Sequence, residues 1–140
     1  MGNKSLLLAA ALVLTSCTTA KKNESERAKL HMQIGTGYLA QGQYPLAMTE
    51  LLKAEALDPK DPAILNNLGL AFYVRGRLKQ AEEKFRKAID SDPKFSDAKN
   101  NLARVLIDQG HSRSALSILQ QVEGDLTYQH PEKTFTHLGM

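Results

Sequence analysis

Thiol and imidazole side chains, the commonest nucleophile–base pair and transition-metal ligands, are few. They are a single cysteine, Cys17, and four histidines, His31, His111, His130 and His137. A lone thiol cannot close an internal disulfide. The histidines fall at no His/Asp/Glu spacing that would build a metal site or a catalytic triad. The tripeptide Gly35-Thr36-Gly37 has the glycines of a phosphate loop but none of its other residues. No enzyme and no cofactor is expected. What does recur is an amide. Gln33, Asn67 and Asn101 occupy one phase of a repeating pattern, with His137 in the same place further on. A side-chain amide offers both a donor and an acceptor, the two halves of a peptide group. The chemistry to look for is therefore recognition rather than reaction.

The position of Cys17 needs its flanks. Lys4 precedes an apolar run, Leu6 to Leu14, and the charged stretch from Lys21 to Arg27 follows. That run has signal-peptide length and is too short to span a bilayer. The stretch Leu14-Thr15-Ser16-Cys17 resembles the lipobox of bacterial lipoproteins. The resemblance implies a signal peptide over 1–16, a diacylglycerol on the Cys17 sulfur and acylation of the new amino group. Two or more acyl chains hold a membrane firmly where one does not. The next residue, Thr18, is not aspartate, which by the same resemblance favours the outer membrane, facing the periplasm, if the cell has one. Residues 17–27 then read as a lipidated flexible tether, of which residues 18–27 reach about 35 Å at full extension. Ordinary secretion with cleavage after Ala20, and a misplaced start site, are the alternatives.

From residue 28 the sequence repeats every 34 residues. Ile34-Gly35 recurs as Leu68-Gly69 and Leu102-Ala103. Ala47, Ala81 and Ala115 share one phase, and Leu51, Phe85 and Leu119 another. Each period carries two segments with apolar residues at helical spacing. Helices are expected near 26–41, 45–57, 62–75, 78–91, 96–109 and 113–122. Gly42, Gly76 and Gly110 stand where a left-handed residue ends a helix, and Pro59 and Pro93 where continuation must stop. This pattern resembles the tetratricopeptide repeat. It implies an all-α solenoid of antiparallel helix pairs over 28–129, divided 28–61, 62–95 and 96–129. Residues 130–140 read as the start of an incomplete fourth repeat, and a truncated form of a longer protein is expected.

In stacked repeats of this kind the Gln33–Asn67–Asn101 row resembles the inner groove that binds an extended peptide. Leu70, Tyr73 and Arg104 are expected beside it, with Met32, Asn66, Asn100 and Asp108 as further neighbours. The bland reading is that the asparagines are exposed or bond between helices. Lipobox, tether and repeats in that order resemble the pilotin lipoproteins of type IV pilus biogenesis, and the join from Leu126 to Met140 resembles theirs. The resemblance implies a protein partner, the ring-forming secretin or its carboxyl-terminal segment, whose assembly in the outer membrane the chain would assist. The alternative is a general periplasmic scaffold that recruits envelope-assembly factors or wall enzymes. Nucleic acid is not expected. The net charge of +3 divides into +2 on residues 1–27 and +1 on the rest, where 14 basic and 13 acidic side chains nearly cancel. Oligomeric state is not legible.

Overall fold

The computed structural model describes residues 3–124, with side chains from residue 21 onward. The expected fourth-repeat fragment, with His130 and His137, lies outside the described residues. Six helices make up the described chain, and no strand occurs among them. They are α1 (Asn3–Ala40), α2 (Tyr44–Leu57), α3 (Pro62–Tyr73), α4 (Leu78–Ser91), α5 (Ser96–Asp108) and α6 (Ser112–Glu123). None is long and apolar enough to cross a membrane.

The turn inside each pair is built the same way three times. Gly42, Gly76 and Gly110 sit at φ +72°, +70° and +81°. There the chain reverses and two orphan carbonyls of the ending helix find donors. Gly42 N–H donates to Leu39 O at 3.0 Å and Gln43 N–H to Tyr38 O at 2.9 Å. The same two bonds recur at Gly76 with Arg77 and at Gly110 with His111. This crossed pair is the αL termination that only glycine adopts without a Cβ penalty. Between pairs the signals differ. Pro62 opens α3, and the Asp61 carboxylate accepts from Ala63 N at 2.8 Å and Ile64 N at 3.1 Å. That cap satisfies two of the four donors a helix leaves unpaired.

One boundary differs from expectation. The first helix was expected from residue 26, but α1 runs from Asn3, so residues 17–27 lie within it. No glycine or proline interrupts the sequence between Asn3 and Ile34, and Lys, Glu, Ala and Arg are good helix formers.

Small residues set how closely each pair approaches. A Cβ on Gly35 would lie 2.7 Å from Leu51 Cγ, and one on Gly69 would lie 2.4 Å from Phe85 Cε1. Ala47, Ala81 and Ala115 are fully buried in the same seams. The core is divided among clusters that each join neighbouring helix pairs. Leu51 and Ala54 of α2 pack with Ile64, Leu68 and Ala71 of α3, and Phe85 of α4 packs with Leu102 and Leu106 of α5. Ile34 departs from its counterparts. Leu68 and Leu102 are 0% and 1% exposed, but Ile34 is 40% exposed. Its phase is a core phase only when a preceding helix pair covers it, and in the described chain none does.

The first helices of the pairs touch one another, α1 with α3 and α3 with α5. The second helices do not meet along their backbones. Between α2 and α4 the link is a side-chain pair, Lys84 Nζ to Glu55 at 2.5 Å. The inner row is therefore α1, α3 and α5, and its open surface is the concave face of the solenoid.

Candidate peptide-binding groove

The inner row holds the residues that the repeat phase singled out, and it does not hold them equivalently. Gln33 is exposed on α1. Asn67 is half-buried on α3, and its Nδ2 donates to Ala63 O of its own helix at 2.9 Å. Asn101 is half-buried on α5, and its Nδ2 donates across the repeat boundary to Asn66 Oδ1 at 3.0 Å. Both amide nitrogens are thus engaged inside the protein. The three residues share a phase but do not form one ladder of equal contacts.

The second and third repeats bring the rest together. Tyr73 Oη donates to Asp108 Oδ2 at 2.8 Å. The Arg104 guanidinium carbon lies 5.7 Å from the centroid of the Tyr73 ring, within cation–π range. Burial first, and then the bond to the Asp108 carboxylate, push the Tyr73 phenol above its usual range, with Arg104 opposing. The phenol is thereby held as a neutral donor. Leu70 and Tyr73 are half-buried and rest on the cluster that contains Phe85 and Leu102. Arg104 is exposed and makes no ion pair among the described residues. The result is a shelf that is apolar at Leu70, aromatic at Tyr73 and cationic at Arg104. It can take an apolar side chain beside a carbonyl or carboxylate group.

The contacts that sequence reasoning missed have a regular signature. Asn66 to Asn101 and Tyr73 to Asp108 are each separated by 35 residues. That is one period plus one, the offset at which adjacent first helices present side chains to each other. A second missed cluster joins α1 to α2. His31 Nδ1 lies 2.7 Å from Glu50 Oε2, and Lys53 Nζ lies 2.7 Å from Glu50 Oε1. The Lys53 hydrogen bond, followed by that of His31, draws the Glu50 carboxyl below the usual range. His111 is exposed at the start of α6, in the third glycine turn. Cys17 lies on α1, and its side chain is outside the described residues. Among the described residues no three His, Cys, Asp or Glu side chains converge as a metal site would need.

Comparison with known proteins places this geometry. Residues 35–74 match the family described as TPR repeat, and residues 75–126 match the tetratricopeptide repeat. The chain is 28% identical over 143 residues to the type IV pilus assembly protein PilF of Pseudomonas aeruginosa, a match covering 96% of this chain and 57% of that protein. A solved structure from the functional characterization of Pseudomonas aeruginosa pilF superposes with a TM-score of 0.78 at 29% identity, over 84% of this chain and 53% of that one. The chain thus spans little more than half the length of that relative. The TPR2B domain of yeast Sti1, solved as a complex with pHsp70, superposes with a TM-score of 0.77 at 20% identity, over 82% and 95% of the two chains. At that identity the likeness is one of fold.

Proposed function

The chain belongs to the tetratricopeptide-repeat family, and on that footing we propose that it is a lipid-anchored protein-binding scaffold assisting secretin assembly in the outer membrane during type IV pilus biogenesis. The single observation that carries this reading is similarity to the pilus assembly protein over 96% of the chain. The shelf on the concave face supports it chemically. Leu70 and Tyr73 supply apolar and aromatic area, and Arg104 supplies donors that no described acidic side chain takes up. An extended segment of the secretin would lie across α3 and α5, with Asn67 and Asn101 beside it. Lipid on Cys17 would hold the solenoid on the periplasmic face of the outer membrane, next to the assembling ring.

The test is a titration of the full chain against the secretin and against its carboxyl-terminal segment. Saturable binding is expected. Arg104→Glu should weaken it about tenfold or more, since reversing one charge-assisted contact exceeds 1.4 kcal/mol. Circular dichroism should show unchanged helicity, because Arg104 is exposed. Absence of secretin binding, together with capture of envelope-assembly factors or wall enzymes, would replace this reading by the general periplasmic scaffold.

A further inference from the structure

The charges of the solenoid are sorted between its two edges. One edge holds the glycine turns, at the carboxyl ends of the inner helices. There residues 75–80 and 109–114 carry Arg75, Arg77, Lys79 and Arg113, with His111 among them and no acidic side chain. The other edge, at residues 58–61 and 90–97, carries five aspartates against two lysines. The first edge is thus +4 before His111 is counted and the second −3, although residues 28–140 sum to +1. The sorting follows the repeat. Arg77 and His111 are one period apart, and so are Lys79 and Arg113. All five side chains are exposed, and none makes an ion pair among the described residues.

Local stability does not account for these cations. Lys79 and Arg113 are the second residues of α4 and α6, and neither helix has an acid in its first turn. A cation at that end opposes the helix dipole. The inner helices follow the opposite rule, with Asp61 capping α3 and Asp97 in the first turn of α5. Arg77 and His111 are the N-cap residues of α4 and α6, yet neither side chain makes a capping bond. The acids adjoining the edge are already engaged. Asp108 accepts from Tyr73, and Glu82 accepts from Arg86 at 3.0 and 2.9 Å. Gln109 also bonds Glu82, which ties the third turn to α4 and makes the two cationic turns neighbours. The helices that end in these turns, α3 and α5, are in contact, so the turns stand about 10 Å apart.

We propose that this edge is a second docking surface, separate from the groove, that takes an extended acidic segment of a protein partner. An extended chain rises about 3.3 Å per residue, so carboxylates three residues apart reach both turns. The Arg77 and Arg113 guanidinium groups offer each carboxylate a planar fork of donors. Arg75, Lys79 and His111 add to the field that steers an acidic chain toward them. No aromatic side chain is interleaved in the two segments, so the stacking platform that single-stranded nucleic acid uses is lacking. Cys17 lies about 35 Å from this edge along α1, so a chain anchored there presents the edge away from its lipid. The proposal holds whichever protein occupies the groove.

Fluorescence anisotropy of a labelled peptide, with aspartate at every third position and glycine and serine between, tests this against the full chain in nonionic detergent. Saturable binding is expected, weakening as added salt screens it. Arg77→Gln with Arg113→Gln should weaken it about fivefold or more, since two exposed ion pairs are lost. Helicity should be unchanged, because Gln43 holds the place of Arg77 in the first turn and Arg113 is exposed. Lys60→Gln with Lys94→Gln removes the same charge from the other edge and should change binding less than about twofold. Equal losses from the two pairs would mean an effect of net charge alone and overturn the proposal. So would a failure to saturate up to about 1 mM. Tighter binding of phosphatidylglycerol vesicles or of oligothymidylate than of the peptide, lost with Arg77 and Arg113, would also overturn it and assign the edge to phosphate groups.

Discussion

At the scale of single residues, three glycines in α1 and α3 separate close packing from open surface. Gly69 lies under the Phe85 ring, so a methyl group there must displace an aromatic side chain that is fully buried. Gly69→Ala should cost about 1–3 kcal/mol. Gly37→Ala should instead stabilise by up to about 1 kcal/mol, through helix propensity alone. Chemical-denaturant melts of the two variants check both signs. Gly35→Ala falls between them, because its nearest neighbour is the aliphatic Leu51 rather than a ring. Tyr73 makes a different prediction. Its pKa is raised above 10.0, by burial first and the Asp108 bond second. The folded state therefore keeps the phenolic proton longer than the unfolded chain does. Its contribution to stability is complete below pH 10 and is lost as pH rises through the folded pKa. Asp108→Asn should lower the Tyr73 midpoint in an ultraviolet phenolate titration without returning it fully to 10.0, because the larger cause remains.

At the scale of elements, the central pair tests the repeat register. Leu68 is fully buried in the cluster that α3 forms with α1 and α2, and Leu68→Ala should cost about 2–5 kcal/mol in a thermal or denaturant melt. Asp61→Ala removes a cap with two bonds and should cost about 0.5–2 kcal/mol. Much of this level was legible in the sequence. The glycine turns and the prolines fixed five of the six helices to within two residues, because left-handed φ and a missing donor are local demands that few residues meet. The start of α1 was not legible, since nothing in the sequence forces a helix to stop where a tether was expected. Exposure of Ile34 was hidden for another reason: periodicity shows that a face is apolar, not whether anything covers it. The groove divides in the same way. Phase placed Asn66, Leu70, Tyr73, Asn101, Arg104 and Asp108 on the inner row. It did not reveal that Asn101 spends its amide on Asn66, or that Tyr73 reaches Asp108, because those bonds depend on the rotation between repeats.

At the scale of the whole molecule, the membrane anchor is the first thing to establish. Cys17→Ser should release the mature chain from the membrane fraction, because the proposed lipid is its firmest hold. A variant that is processed normally and still pellets with membranes would remove the lipoprotein reading. The arrangement of the two helix rows then sets how the protein yields to a load. The inner helices touch in sequence, while α2 and α4 are joined by Lys84 and Glu55, a pair with 15% and 21% side-chain exposure. In mechanical terms the inner row is the hinge pin and the outer row is the free edge of a fan. Each outer helix is held to the next repeat through the following inner helix, α2 against α3 and α4 against α5, and not through its outer neighbour. The Lys84–Glu55 pair is a stay across the first gap of the fan. A peptide pressing into the concave side would change the curvature by opening or closing that gap, so a stay against such bending would lie on the surface away from the groove.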